Sequence, residues 1–189
     1  MLKFITPLII CSLFAGTAFA DNHIKERAQK SKGAVKEFMG QLKGELQAGM
    51  KAGGPANAIN VCKDKAPGIA KSLSEKYGWT IARTSLKTRN PNNAPDAWET
   101  KVLNDFEARK AKGEAVKPMA HFEAVENDGK KNFRFMKAIP TGEVCLKCHG
   151  SEMKPGIKAK LQELYPNDKA TGFKLGDIRG AFHVAQPCQ

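Results

Sequence analysis

The 189-residue sequence contains no internal repeat and no low-complexity tract, and this excludes a collagen-like repeat protein. It also lacks a hydrophobic run long enough to span a bilayer comfortably, which excludes a polytopic membrane protein. Acidic residues are few: 19 Asp and Glu stand against 31 Lys and Arg, for a net charge of +12. Hydrophobic residues make up 41% and charged residues 26%, which is ordinary for a globular protein and excludes a wholly disordered chain. One domain is the default at this length.

The first 20 residues have the pattern of a secretory signal peptide. Lys3 supplies the positive charge, residues 4–14 form a short apolar stretch, and Ala18-Phe19-Ala20 is a small-x-small cleavage site. We predict cleavage after Ala20, a single mature domain over residues 21–189, a periplasmic location and no stable membrane insertion; an uncleaved anchor is the alternative. Cleavage removes one lysine and Cys11, and leaves a net charge of +11 and four of the five cysteines.

The excess of basic over acidic residues suggests an acidic partner, an anionic membrane surface or nucleic acid. The lysines follow no aromatic-interleaved or groove-tracking pattern, and an exported protein rarely meets nucleic acid. We therefore expect no nucleic-acid partner and interpret the lysines as a solvated face.

Apolar spacing predicts helices in the first half of the chain and mostly strands in the second. The fold class is therefore α+β, an antiparallel sheet with a long N-terminal helix and helical insertions. The predicted helices are Ile24–Lys51 (stopped by Gly53-Gly54-Pro55), Ala56–Lys63, Pro67 to Gly78, Ala97–Lys110 (capped by Asp96), a short helix after Gly142, and Ile157–Leu164. The predicted strands lie within Trp79–Lys87 and over His121–Val125, Lys131–Ala138 and Asp177–Ala185. A turn at 127–129 joins the second and third of these strands.

The motif Cys145-Leu146-Lys147-Cys148-His149 has the C-x-x-C-H spacing by which c-type haem is attached. Two thiols three residues apart on a helical turn point the same way, so each can form a thioether to one haem vinyl group. The histidine that follows then reaches the iron from the proximal side. This attachment is made outside the cytoplasm, in agreement with the signal peptide. A single motif predicts one covalently bound haem c.

Three other readings of these cysteines remain open. A thioredoxin-like dithiol would follow the first strand of a βαβ unit, and no such pattern surrounds the motif. A structural zinc site could combine Cys145 and Cys148 with Cys62, Cys188 or His183. A plain disulfide among the four mature cysteines is the third. None of the three explains why His149 follows Cys148 in an exported chain.

The second axial position of the iron has several candidates. A methionine at helical spacing more often fills a core, and a lone histidine on a strand is usually exposed or hydrogen-bonded. Cys62 stands in an apolar run before Pro67, and a disulfide with Cys188 is its alternative role. The candidates are Cys62, His23, His121, His183, Met39, Met50, Met119, Met136 and Met153.

A larger set of residues resembles one family, the single-haem "c-type haem family protein", a domain of unknown function with a PAS-like fold. Similar domains occur alone or as the sensory part of bacterial histidine kinases. The resemblance covers about residues 25–186, and neither His183 nor Cys188 belongs to its pattern. It rests on Ala58-Ile59-Asn60-Val61-Cys62, Arg83-Thr84-Ser85, Arg89-Asn90-Pro91-x-Asn93, Trp98-Glu99, Phe135–Pro140, Cys145-Leu146-x-Cys148-His149-Gly150 and Gly176-Asp177-x-Arg179-Gly180.

This resemblance implies haem c on a PAS-like antiparallel sheet, with His149 and Cys62 as axial ligands. Arg83 and Arg89 flank the Asn-Pro turn, and the planar fork of a guanidinium suits a carboxylate. We therefore expect one of the two to neutralise a haem propionate; an arginine that holds the turn through carbonyl hydrogen bonds is the alternative.

Two functions fit these features. The first is a sensory haem protein that responds to redox state or to a diatomic gas, because a thiolate ligand favours ferric iron. The second is an electron carrier whose basic surface steers it to an acidic redox partner. The motif lies too far from both termini for an ordinary small cytochrome or a four-helix haem bundle. A peroxidase would need an open iron site with polar distal residues, which the sequence does not demonstrate, so we expect no enzyme activity.

Overall fold

The structure is a computed structural model that describes residues 15–127 and 129–188. Residues 1–14 of the predicted signal peptide and Asp128 of the predicted turn lie outside the described residues. Four antiparallel strands form one sheet in the order β1-β4-β3-β2. These strands are β1 (Thr80–Thr84), β2 (Ala120–Asn127), β3 (Lys130–Pro140) and β4 (Ile178–Pro187).

The N-terminal half is helical up to the first strand. Helix α1 (Ala15–Asn60) is kinked where Gly53 and Gly54 leave helical geometry, and the φ of 67° at Gly54 suits a residue without a Cβ. A π-helical turn, Val61–Lys65, follows without a break and leads into α2 (Ala66–Tyr77). The predicted stop at the two glycines is therefore confirmed as a kink.

The predicted start of a helix at Pro67 is confirmed to within one residue, because α2 begins at Ala66. Pro67 lies in the first turn of α2, and the Ala66 N–H donates to the Val61 carbonyl five residues back. Proline lacks an N–H, so it is tolerated in a first turn, where intrahelical bonding is incomplete. The wider π-helical turn therefore carries the helical path into α2 without a loop.

In the described part of the chain, a 3-10 turn at Pro91–Asn93 and three further α-helices follow: α3 (Ala97–Ala111), α4 (Glu143–His149) and α5 (Pro155–Leu164). Helix α3 begins at the predicted cap. The Asp96 carboxylate accepts from the Glu99 N–H at 2.8 Å, and the Glu99 carboxylate accepts from the Asp96 N–H at 3.1 Å. This reciprocal capping box satisfies two N–H groups that a helix start would otherwise leave free.

Helices cover both faces of the sheet, and a hydrophobic core fills each interface. On one face Phe38 of α1 and Leu73 of α2 pack against strand residues such as Phe182, whereas on the other Phe106 of α3 packs near Met136. A sheet covered on both faces explains why β4 is buried at nearly every position instead of alternating between buried and exposed residues. The α+β class, the antiparallel sheet and the long N-terminal helix are confirmed.

Among the described residues, no helix combines the length and apolar character needed to cross a bilayer. At one end of the sheet β1 and β3 finish and β4 begins, and the residues discussed next gather there. Their convergence depends on Gly180, where an added Cβ would lie 2.3 Å from the Thr84 carbonyl oxygen. Strands β1 and β4 therefore approach more closely at this end than any larger residue would permit.

Candidate functional site

The C-x-x-C-H motif forms helix α4, which starts where β3 ends. Thr141 fixes this start, because its N–H donates to the Asp177 carbonyl at 2.7 Å and its own carbonyl accepts from the Gly176 N–H at 2.9 Å. Cys145 and Cys148 are one helical turn apart, and both are free thiols that are partly buried. Residues three apart share a helix face, so the two sulfurs can be used together.

His149 is the last residue of α4, and its ring orientation is fixed. The Nδ1 atom lies 2.7 Å from the Ala170 carbonyl oxygen, which can only accept, so Nδ1 carries the proton. The ring also meets Phe173 edge to face, with centroids 6.1 Å apart. Nε2 is therefore unprotonated and can act as an acceptor, as in metal-binding histidines whose other nitrogen donates to a carbonyl.

Burial keeps this imidazole neutral. Desolvation, reinforced by the charges of Arg179 and Arg89, lowers the pKa of His149 to about 2. The Arg179 Nε donates to His149 Nε2 at 3.4 Å, and Arg89 Nη1 lies 3.5 Å from the same atom. A neutral histidine with an available Nε2 is the form that binds iron, so the donor set fits a haem.

The guanidinium of Arg89 is engaged by other groups of the protein, so it is not available to bind a carboxylate of a ligand. It pairs with Asp168 at 2.8 Å, and the two side chains are only 8% and 9% exposed. Its Nη2 also donates to the carbonyls of Cys148 at 2.6 Å and Ala170 at 3.2 Å. The geometry therefore agrees with the alternative role predicted for this arginine, a structural one through carbonyl hydrogen bonds.

Arg83 has different surroundings. Its guanidinium lies 5.8 Å from the centre of the Phe38 ring and has no hydrogen-bond acceptor in the described part of the chain. Burial lowers the pKa of Arg83, and the nearby Cys62 and Tyr165 oppose this shift. Arg83 is thus a partly buried cation whose N–H donors are available.

Cys62 lies in the π-helical turn and faces the same region. A thiolate at Cys62 would interact electrostatically with Arg83, Cys148 and Arg179, and Ile59, one turn earlier, packs in the same cluster as Cys148. Single π-helical turns inside longer helices are frequent at functional sites, and their extra residue re-aims the side chains they carry. The structure thus brings Cys62 together with the C-x-x-C-H motif, although 83 positions separate Cys62 from Cys145 in the sequence.

Cys188 lies at the other end of β4. Its N–H donates to the Lys131 carbonyl at 2.9 Å, and its side chain packs against the core that contains Phe182. At about 3.3 Å per residue, it is roughly 30 Å along the strand from Arg179, which is beside Cys62. A disulfide needs Cα atoms within about 7 Å, so this geometry does not allow the Cys62–Cys188 alternative.

The other proposed cysteine sites also find no support in this geometry. The sheet around α4 is antiparallel, unlike the βαβ setting of a thioredoxin-like dithiol. Within residues 15–127 and 129–188 there is no group of three or more His, Cys, Asp or Glu side chains arranged to hold a metal ion. His183, which the zinc reading would use, instead places Nδ1 2.8 Å from the Glu99 carboxylate.

The remaining candidates for the second axial position lie in other environments. His121 is next to Glu123 at 3.3 Å on the far strand of the sheet, and His23 is exposed on α1. Met119 and Met136 are buried in the α3-side core, whereas Met39 is 48% exposed instead of filling a core. Met153 packs beside Cys148 against the cluster of Ile59, Ile157 and Leu161, and Met50 is half-buried on α1.

Several site residues escaped the sequence analysis as functional positions. Arg179 belongs to the recognised Gly176–Gly180 motif, which could have marked it, whereas Asp168 and Ala170 lie in a loop without any periodic pattern. The same loop borders a cavity of about 550 Å³. Its lining includes Gly150, Met153, Leu161, Tyr165 and Asp168.

Comparison with known proteins agrees with these features at the level of a haem-protein class. The solved structure of the cyanobacterial heme-protein Tll0287 matches with a TM-score of 0.65 and 26% identity, over 87% of this chain and 96% of that one. A family model described as Tll0287-like matches residues 18–187. The chain therefore belongs to the Tll0287-like family. No curated protein matches it significantly.

These matches confirm the expected relationship to a haem-protein family. The similarity suggests that the chain binds haem. The remaining sequence predictions, including covalent attachment, the axial ligands and export, are taken up below as proposals.

Proposed function

We propose that this protein is an exported monohaem c-type cytochrome of the periplasm that senses redox state or a diatomic gas. In this proposal Cys145 and Cys148 hold one haem c through thioethers, and His149 and Cys62 are its axial ligands. The mature chain, residues 21–189, is then a single PAS-like domain without enzymatic activity. It would pass its signal to a separate protein.

The observation that carries the proposal is the state of His149. Its Nδ1 donates to the Ala170 carbonyl at 2.7 Å, and burial lowers its pKa to about 2. Its unprotonated Nε2, whose nearest donor is Arg179 Nε at 3.4 Å, follows two free cysteines on one helix face. A carbonyl partner on the far nitrogen fixes the tautomer and orientation that a metal-binding histidine needs. The hydrogen bond from Arg179 is long, so Nε2 could exchange it for iron.

Cys62 is the chain's own redox-sensitive element in this proposal. Haem, when bound, supplies a one-electron redox centre and a binding position for diatomic gases. As a thiolate, Cys62 would stabilise the ferric state by donating electron density. On reduction its sulfur would gain a proton and withdraw, and the π-helical turn could relax towards α-helical geometry. Redox state would then be coupled to the helix that joins α1 to α2, as a two-state element.

The test compares the wild type with Cys62→Ala, before and after dithionite and with and without CO. We expect the substitution to change the ferric absorption spectrum, and the reduced wild type to bind CO. Cys188→Ala is the matched control, because it removes a partly buried cysteine from the far end of β4. If Cys62→Ala leaves the ferric spectrum unchanged, Cys62 is not a ligand.

An electron-transfer role is the second candidate, and the basic surface favours it. Loss of Lys3 reduces the net charge from +12 to +11 in the mature chain, and this charge would steer association with an acidic redox partner. An electron carrier should keep both axial ligands on reduction, since rearrangement slows transfer. A ferrous protein that retains Cys62 and refuses CO would therefore favour electron transfer over sensing.

A further inference from the structure

The pocket around His149 contains more positive charge than its own acidic residues neutralise. Three arginines interact electrostatically with one another or with His149: Arg83, Arg89 and Arg179. Among them, Arg89 forms a direct ion pair with a carboxylate, that of Asp168. Asp168 balances Arg89 at 2.8 Å. Two guanidinium groups, those of Arg83 and Arg179, are left without a carboxylate partner in the described residues.

Arg179 has only neutral acceptors. Its Nη1 donates to Ser85 Oγ at 3.2 Å and to the Lys87 carbonyl at 3.4 Å, and its Nε donates to His149 Nε2 at 3.4 Å. These bonds lie beyond the usual N–H···O distance of about 2.9–3.0 Å. The Nε bond would also be lost once His149 uses Nε2 to bind iron.

Arg83 complements Arg179 from the neighbouring strand. It lies on β1 next to Thr84, and its guanidinium has an aromatic contact to Phe38 but no hydrogen-bonded oxygen in the described part of the chain. A desolvated guanidinium without a counterion is costly, because the charge loses hydration that nothing replaces. Two such groups in one pocket predict that the ligand brings two negative charges.

We propose that Arg83 and Arg179 form the anion site for the two propionate carboxylates of the haem, and that Arg89, bound to Asp168, does not take part. This inference rests on the proposed haem attachment. The charges match, since two guanidinium groups meet two carboxylates, and a guanidinium fork binds a carboxylate through two parallel hydrogen bonds. It replaces the sequence-based choice between Arg83 and Arg89 with the pair Arg83 and Arg179.

The experiment uses the exported holoprotein and two single variants, Arg83→Gln and Arg179→Gln. Resonance Raman spectra report the propionate bending modes, and potentiometric titration reports the reduction potential. We expect each variant to shift a propionate mode. Each should also lower the potential, because removal of a nearby positive charge disfavours the added electron. Arg179→Lys should restore most of the potential but not the propionate mode, since lysine keeps the charge and loses the fork.

Arg27→Gln is the matched control. Arg27 contacts only neutral acceptors, Gln186 and the Pro187 carbonyl, at the opposite end of β4. If both site variants give the same propionate modes and potential as Arg27→Gln, the anion site is refuted. Haem stain on a denaturing gel of the wild type separates the two claims. A band that stains while the variants match the control overturns only this inference, and a wild type without stain overturns the proposed attachment.

Discussion

At the scale of single residues, Asp168 organises the surroundings of His149 through both of its oxygens. One oxygen accepts from Arg89, and the other accepts from the Ala170 N–H at 2.8 Å, which holds the carbonyl that orients His149. Asp168→Asn keeps the shape but leaves Arg89 as an uncompensated buried charge. We expect the free energy of unfolding in urea to fall by about 3 kcal/mol, as for loss of one partner of a buried ion pair.

The control for this prediction is Asp105→Asn. Asp105 is half exposed and lies 3.5 Å from Arg109, so its ion pair is screened by solvent. Its loss should cost at most about 1 kcal/mol. Equal losses in the two variants would contradict the importance assigned to the Arg89–Asp168 pair.

Glu99 makes stability depend on pH. It is 6% exposed, between His183 at 2.8 Å and Arg134 at 3.3 Å. Burial acts to raise the pKa of Glu99, but the hydrogen bond and charge of His183 outweigh it, and the pKa falls below the model value of 4.5. A lowered folded-state pKa gives stability that is present above pH 4.5 and lost as the pH falls through the folded value.

We therefore expect Glu99→Gln to flatten the loss of unfolding free energy between about pH 5 and pH 3, where each proton taken up on unfolding contributes about 1.4 kcal/mol per pH unit. Urea titrations at several pH values measure this slope. Glu114→Gln, at an exposed carboxylate beside Arg109, is the control. A wild-type slope in Glu99→Gln would show that the buried pair does not titrate as described.

At the scale of secondary-structure elements, the contact between β1 and β4 depends on Gly180. Its φ is 150°, and an added Cβ would lie 2.3 Å from the Thr84 oxygen and 3.0 Å from Ser85 Cβ. We expect Gly180→Ala to destabilise the fold by more than about 1 kcal/mol in thermal or urea unfolding, because backbone must move.

Gly156→Ala is the matched control, since Gly156 lies in α5 and an added Cβ there meets nothing within 4 Å. Alanine should stabilise this helix by about 0.5–1 kcal/mol. A Gly180→Ala protein as stable as the wild type would contradict the close approach of β1 and β4.

The elements themselves were largely predictable from local patterns. Periodicity and caps located the helices and strands, with Asp96 as the clearest start, because these signals depend on neighbours a few residues apart. The π-helical turn escaped prediction because Pro67 correctly signals a helix start but does not show whether a loop or a helical turn precedes it. The Arg89–Asp168 pair also escaped, since it joins two loops 79 positions apart and neither carries a periodic pattern.

At the scale of the whole molecule, the sequence showed the motif for covalent haem attachment but not the arrangement of charged side chains around it. The motif is recognised easily because Cys145, Cys148 and His149 lie within five consecutive residues. The convergence of Arg83, Arg89 and Arg179 depends on how β1 and β4 pair, which spacing along the chain does not reveal. The total of +12 says nothing about where two partly buried guanidinium groups without a carboxylate partner come together.

Export gives a prediction for the complete chain. We expect protein recovered from the periplasmic fraction of an expressing Gram-negative host to begin at Asp21, because Ala18-Phe19-Ala20 precedes it as a cleavage site. N-terminal sequencing tests this directly. Replacement of Ala20 by a bulky residue should retain the uncleaved precursor. A mature protein that still begins at Met1 would support the uncleaved anchor instead.

The most direct test of the central claim is the intact mass of the exported protein under denaturing conditions. We expect the mass of residues 21–189 plus one haem. Cys145→Ser with Cys148→Ser should abolish the addition, whereas Cys188→Ser should leave it unchanged. A wild-type mass equal to that of the bare chain, or haem that acid–acetone extracts, would contradict covalent attachment at the motif that ends in His149.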